Sequence, residues 1–439
     1  MKLKIIACFI FLFTVFISVV KAQNPPLLTL KEAVEIALQN NYNIKITQNA
    51  SAIAKNNVTL GNAGFLPSVN GNFSSTNSVQ NTNLTRADGT TTSFTNAKNT
   101  NISRGVTLSW TIFNGFAMFA SYDQLKEQNK LGELYARDTI VRTVSNVVST
   151  YYNLVNQNEV LSSLKGAMRI SKTQLRYAND KFAVGAVSRL EVLNAEVNVN
   201  TDTANYVRQL QQFKNTKIQL NQLLVRDLQT DFTVADTIIV DDKIVLADIL
   251  SNAASQNPTI LAAQINKRLA EINLKQVRST RYPQIGVTTG YNFSNSRSPS
   301  GFAQMQNAQG LNYGLTATIN IFDGFNQNRL EKNAKIQIDN SALAFSRAKL
   351  NVETQINTLY TSYVTGLELT KLGQSNVEVA RRNLEITLDK YRLGNITTLE
   401  VRQAEENYVN AQVNYFAAQY QSKIAEITLK QITNNINIQ

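Results

Sequence analysis

Apolar positions along this chain keep one of two rhythms, and the change from one to the other happens twice. From about residue 30 to 64 they recur every three to four positions, as Ala33, Ile36 and Ala37 and then a run rich in Ala, Asn, Gln and Ile that ends at Gly61 and Gly64. That spacing predicts two short helices. At Pro67 the period falls to two: Val69, Gly71 and Phe73 alternate with Ser68, Asn70 and Asn72, and Val106, Leu108, Trp110 and Ile112 alternate with Thr107, Ser109 and Thr111. A β-hairpin over about 67–113 is expected, each arm near the ~9–11 residues that a tilted strand needs to cross a bilayer. Helical spacing resumes after Gly115 and predicts a long helix over about 117–181, a turn at Gly185 and a return helix over about 187–226.

The same programme is then written again. Trp110-Thr111-Ile112-Phe113-Asn114-Gly115-Phe116 returns as Asn320-Ile321-Phe322-Asp323-Gly324-Phe325, and Lys181-Phe182-Ala183-Val184-Gly185 returns as Lys390-Tyr391-Arg392-Leu393-Gly394, both displaced by 209 positions. Earlier landmarks (Leu30 and Leu246, Asn41 and Asn257, Pro67 and Pro283) are displaced by 216, so the length difference falls between Pro67 and Ile112, where loops absorb it. The chain therefore divides into a first repeat at 23–226, a linker at 227–245 carrying Asp231, Asp236, Asp241 and Asp242, and a second repeat at 246–439. The second repeat has a hairpin over about 283–322, a long helix over about 326–390 and a return helix over about 396–432.

A three-four seam runs through Val352, Ile356, Leu359, Tyr363, Gly366, Thr370, Gly373 and Val377 and predicts helices packed side by side. At 1.5 Å per residue the long helix is about 97 Å, matched by the pre-strand helix and return helix laid end to end. A rod this narrow has no globular core, so its seams must be buried against neighbours.

Composition narrows the function. The basic start Lys2 and Lys4, the apolar run to Val20 and the small Ala22 predict a secretory signal peptide over 1–22. The single cysteine, Cys8, falls within it, and the chain has no histidine, so the exported part lacks thiols, disulfides and the commonest general base and metal ligand. No paired acids, nucleophile elbow or phosphate loop stands at a meaningful spacing, and Asp88-Gly89 lacks the rest of a calcium-loop pattern. No enzyme activity, cofactor or metal is expected. The 43 Lys and Arg against 31 Asp and Glu are scattered along helices without a dense basic run, which argues against nucleic acid. After the leader no stretch has 18 consecutive apolar residues, so any span of a membrane must be made by strands.

Aromatic residues gather where strands meet helices, at Phe65, Trp110, Phe113 and Phe116 and again at Tyr282, Phe322 and Phe325, as in an interfacial girdle. Four strands cannot close around a lumen and open edges are not tolerated in lipid, so two to four chains must share one barrel.

The duplicated order of helix, hairpin, long helix, glycine turn and return helix, with Ile112-Phe113-Asn114-Gly115-Phe116, Ile321-Phe322-Asp323-Gly324-Phe325 and Tyr391-Arg392-Leu393-Gly394 in place, resembles the TolC family of outer-membrane efflux proteins. The resemblance implies a mainly α fold with transmembrane β: a homotrimer with a 12-stranded β-barrel in outer-membrane lipid, continuous with a 12-helix α-barrel in the periplasm. It also implies a passive exit duct for a tripartite efflux or type I secretion system. The partners would be a periplasmic adaptor (membrane fusion protein) and an inner-membrane pump of RND, ABC or MFS type. By resemblance Phe182, Gly185, Tyr391, Arg392 and Gly394 belong to the periplasmic tip that meets the adaptor, and the gate falls to Glu400, Glu191 and Gln403. Gln403 stands where relatives often carry a second acid, and Arg392 or Arg402 is expected to pair with Glu400. A soluble adaptor or adhesive coiled coil would share the seams and the leader but not two aromatic-flanked hairpins.

Overall fold

The computed structural model describes residues 25–434 except 236 and 302. The expected leader, with Cys8, and Asp236 of the linker lie outside the described residues. In chain order the elements are α1 (Leu30–Asn40), α2 (Tyr42–Asn56), β1 (Ser68–Thr85), β2 (Thr91–Asn114), α3 (Ala117–Ala183) and α4 (Arg189–Leu224). The second half repeats them as α5 (Leu246–Gln256), α6 (Pro258–Ser279), β3 (Gln284–Arg297), β4 (Met305–Thr318), α7 (Asn326–Arg392) and α8 (Thr398–Ile432). Local chemistry sets several starts. Thr29 and Glu32 form a capping box at α1, and Asn257 caps α6 with Pro258 in the first turn, where its missing N–H is not needed. Both long helices, α3 and α7, have 67 residues. Among the described residues no helix is long and apolar enough to cross a membrane.

The chain separates into two compact units. One, formed by Ile46–Arg137 and Ser255–Val352, holds an antiparallel four-stranded sheet in the order β1-β2-β3-β4. The two hairpins are joined by β2 and β3, leaving β1 and β4 as open edges. The strands of the first hairpin are longer than the pattern predicts, 18 and 24 residues. The polar stretch from Gln80 to Thr100 continues the ladder to Thr85↔Thr91 and turns at Asp88, which accepts hydrogen bonds from Thr90. Its side chains are mostly Thr, Asn and Ser, with Leu84, Phe94 and Lys98 scattered among them, and some pair across the strands, as Thr100 with Asn77 at 2.8 Å. Neither face there is apolar, so no period-two signal exists to be read.

The other unit, the described part of Met1–Lys45 with Asp138–Ala254 and Glu353–Gln439, is helical. Its core gathers Ala33, Val34, Val147, Leu154, Val155, Leu220, Leu224, Phe232 and Ile427. The linker is anchored to this core. Phe232 is buried in it, Asp231 pairs with Lys217 at 2.6 Å and Asp241 with Lys430 at 3.1 Å, and Leu27 bridges Thr233. The buried Tyr363 donates its hydroxyl to the Asp241 carbonyl. Gly366 lets α7 approach Ser422 of α8, where a Cβ would meet Ser422 Oγ at 2.3 Å.

Candidate functional site

The sheet sorts its side chains into two faces. Following the register, Val69, Leu108, Thr289 and Tyr313 form one row, Gly71, Val106, Tyr291 and Leu311 the next, and Trp110, Val287 and Leu315 the row before. Five such rows, from Ile285 to Phe293, span about 27 Å along the strand at ~3.4 Å per residue, close to the ~25 Å apolar band of outer-membrane barrels. At the end of the band Arg104 lies 5.6 Å from the ring centroid of Phe293. The opposite face carries Ser68, Asn70, Asn72, Thr107, Ser109, Thr288, Asn312 and Thr316. The apolar face is uncovered: Phe73 is 73% exposed and Tyr313 82%. A soluble sheet buries its apolar face and wets the polar one, and here both are bare.

At the strand-to-helix junctions the aromatic residues meet unequally. Phe65 packs edge-on against Phe119 at 5.0 Å and reaches Tyr122, Phe116 lies against Phe113, Phe119 and Tyr282, and Trp110 Nε1 donates to the Phe65 carbonyl at 2.9 Å. Phe119 and Tyr122 join this cluster without having been expected, because they sit in the first turns of α3, where the helical period does not separate them from core positions. In the second repeat Phe322 and Phe325 touch each other at 5.4 Å and stay strongly exposed.

In the helical unit the two helical turns come together. Lys181 donates to the Tyr391 carbonyl at 3.0 Å and sits 4.3 Å from the centroid of its ring, Arg189 lies over Phe182, and Glu191 accepts a hydrogen bond from Thr398. Gly185 and Gly394 take φ of +73° and +82°, closing the two turns in the left-handed region. Glu400 is exposed and closes a capping box with Thr397, whose backbone N–H donates to Glu400 Oε2 at 2.8 Å. The backbone N–H of Thr397, then its hydroxyl, holds the Glu400 carboxyl below its usual range.

The expected pairing of Glu400 with Arg392 or Arg402 is not made. Arg392 bonds Asp389 one turn back, and Arg402, two residues from Glu400, emerges on the other side of α8. Gln403 donates to Asn407 at 3.0 Å.

Arg402 belongs instead to a buried charge cluster that joins three helices. Its Nη1 lies 2.8 and 2.9 Å from the two carboxylate oxygens of Asp202 on α4, its Nε 2.7 Å from Glu406, and Nη1 3.8 Å from Glu405. Glu405, 1% exposed, accepts from Gln174 on α3 at 3.5 Å, while its own Oε1 and the Oε1 of Gln174 have no partner among the described residues. Burial, then the Asp202 carboxylate, pushes the Glu405 carboxyl up to about 8 against the opposing pull of Arg402. A signal existed in the sequence: Glu405 interrupts the seam of Val401, Ala404 and Tyr408, and Asp202 stands 209 positions before Ala411, a buried seam alanine.

A pH effect of definite sign follows. Between about 4.5 and 8 the folded chain keeps a proton on Glu405 that the unfolded chain releases, so stability falls as pH rises across that window and levels off above it. In thermal unfolding from pH 5 to 9, Glu405→Gln should gain on the parent progressively up to about pH 8. A constant difference across the range would remove the raised carboxyl from the account.

Comparisons with known proteins agree with this geometry. The family described as "Outer membrane efflux protein" matches residues 33–225 and 249–435. TolC of Escherichia coli K12 is 22% identical over 305 residues, covering 67% of this chain and 62% of that protein; the chain thus spans about 62% of the length of the TolC proteins of Escherichia coli and Salmonella enteritidis that it matches. The outer membrane efflux protein BepC of Brucella suis is 19% identical, covering 93% of this chain and 86% of its own. Among solved structures, the Campylobacter jejuni CmeC outer membrane channel superposes with a TM-score of 0.79 at 20% identity, over 92% of this chain and 85% of that one. The Neisseria gonorrhoeae MtrE outer membrane channel, in its open state, superposes with 0.71 at 15%, over 92% and 89%. These likenesses show the fold, a mainly helical chain with an antiparallel sheet. With both repeats matched, the chain belongs to the outer membrane efflux protein family, whose members are channels of the outer membrane with a periplasmic extension and not enzymes.

Proposed function

We propose that three copies of this chain close a 12-stranded barrel in outer-membrane lipid and a 12-helix periplasmic tunnel, and that the assembly is the passive exit duct of a tripartite efflux or type I secretion system. One observation carries the reading: a sheet with an uncovered apolar face, a polar opposite face and two open edges. In lipid each unpaired backbone group on those edges costs several kcal/mol, so the edges must meet edges of other chains. The apolar face then meets acyl chains and the polar face lines water. Phe65, Trp110, Phe113, Phe116, Tyr282, Phe322 and Phe325 mark the membrane interface in this reading. The working repeats are 23–226 and 246–439, joined by the linker at 227–245, and residues 1–22 direct export.

The tip formed by Phe182, Gly185, Tyr391, Arg392 and Gly394 is the contact for a periplasmic adaptor, which couples the duct to an inner-membrane pump. Three-fold repetition turns Glu400, and Glu191 beside it, into rings of carboxylates that narrow the pore and attract cations, with Gln403 contributing a neutral amide. Glu400→Gln is a clean probe, because glutamine also completes a capping box and the helix start is kept. In planar bilayers the purified protein should conduct, and Glu400→Gln should weaken block by divalent cations several-fold. A parent without conductance would remove the duct, whereas conductance with unaltered cation block would remove Glu400 from the gate.

A further inference from the structure

The internal duplication supplies its own control for reading surfaces, and one pair of matched faces differs sharply. On α3, Lys165, Arg169, Lys172 and Arg176 are all exposed and fall on one side of the helix, at steps of four, three and four. Behind them Ser163, Ala167, Ser171, Gln174 and Ala178 are buried, so the stripe points away from the helices packed against α3. Among the described residues none of these four cations is in an ion pair. Beside the stripe runs a shallow groove floored by Ser162, Gly166 and Thr173, and a Cβ added at Gly166 would meet none of the described residues within 4 Å.

The equivalent groove on α7, displaced by 209 positions, is smaller and its charges are neutralised. Lys165, Arg169, Lys172 and Arg176 correspond to Gln374, Glu378, Arg381 and Glu385. Arg381 pairs with Glu378 at 2.8 Å and with Glu385 at 2.6 Å, and Arg382 with Glu378 at 3.1 Å. The small floor residues Ser162 and Thr173 are replaced by Lys371 and Arg382. One repeat has thus satisfied its charges within its own helix and narrowed its groove, while the other, where Arg176 lies over the Tyr177 ring, leaves its four cations without a carboxylate partner among the described residues.

We propose that the α3 groove is a docking surface for an acidic helix of a protein partner, and that each chain has one such site and not two. The four charges span about 16 Å along a single helix face, a spacing that acidic residues at the same steps on a second helix reproduce. The small residues let that helix approach closely enough for its carboxylates to reach the cations, while a flexible polyanion gains nothing from the groove floor. The inference rests on the proposed duct, in which this face of α3 stays clear of the neighbouring chains and the lumen.

The test uses the detergent-purified full chain and a fluorescent helical peptide carrying Glu at steps of four, three and four, with a same-composition peptide whose Glu residues circle the helix as control. The ordered peptide should bind once per chain, at least ten-fold tighter than the control, and weaken as NaCl is raised. Lys165→Gln, Arg169→Glu and Arg176→Glu together give the α3 face the charges of its counterpart and should abolish that preference. The reverse exchange, Gln374→Lys, Glu378→Arg and Glu385→Arg, should raise binding toward two per chain. Equal affinity for both peptides, displacement by dextran sulfate regardless of helical spacing, or binding untouched by the triple exchange would each overturn the proposal; the first two would mark an unspecific anion surface.

Discussion

Gly115→Ala should remove the protein from the outer membrane. Gly115 ends β2 with φ of +66°, and a Cβ there would lie 2.0 Å from the Ser279 carbonyl oxygen and 2.9 Å from Tyr282 Cβ. Left-handed backbone alone costs an alanine about 1 kcal/mol, but a clash with fixed main chain forces the junction apart, a loss on the order of 3 kcal/mol or more. Gly324 has the same role and the same conformation, φ +67°, yet among the described residues nothing lies within 4 Å of its Cβ position. The repeat offset of 216 makes Ala63 and Leu66 the counterparts of Ser279 and Tyr282. In a ring of chains, those residues of the next chain would crowd Gly324. Gly324→Ala should therefore leave the isolated chain folded but lower the yield of detergent-stable oligomer as severely as Gly115→Ala does. An oligomer yield near that of the parent would mean that no neighbouring chain packs at that junction.

Arg402→Met should be the most damaging single change in the helical unit. It strands the Asp202 carboxylate, whose side chain is 5% exposed, without the cation it faces. Breaking a buried charge pair by removing one partner typically costs about 3–5 kcal/mol, because the remaining charge has neither water nor a counter-ion. Adding Asp202→Asn to Arg402→Met should recover most of the loss, since the unpaired carboxylate is then gone and only the carboxyl of Glu405, already held protonated, remains. Thermal unfolding of the single and double variants at pH 7 measures this directly. A single variant as stable as the parent would show that the cluster carries no structural weight.

What could be read in the sequence was what repeats or alternates. The hairpin cores were visible at Val69 to Phe73 and Val106 to Ile112 because one face of the sheet is apolar, and the long helices because their seam keeps three-four spacing from Val352 to Val377. The outer ladder from Gln80 to Thr100 was not visible, since a strand polar on both faces has no periodic signal. The left-handed backbone of Phe116 and Phe325, φ +70° and +64°, was hidden for a different reason. Phenylalanine is an uncommon residue there, and its place is set by the ring contacts with Phe113 and Phe322. At the tip, sequence spacing put Glu400 near two arginines but could not show that the short capping box with Thr397 wins its carboxylate while Arg402 turns inward to Asp202.

The central claim is that β1 of one chain pairs with β4 of the next, and the duplication fixes the register. Thr107 pairs with Gly290 where the repeats meet within the chain, so Thr316 should pair with Ser74 of the neighbour. Within one chain β1 and β4 are opposite edges of the sheet, three strand spacings or about 14 Å apart, too far for a disulfide. The combined Ser74→Cys and Thr316→Cys variant, oxidised in outer-membrane fractions and run on a denaturing gel without reductant, should give a ladder that ends at three linked chains. A product that stays at the mass of one chain, or a ladder ending at two or four, would contradict the account.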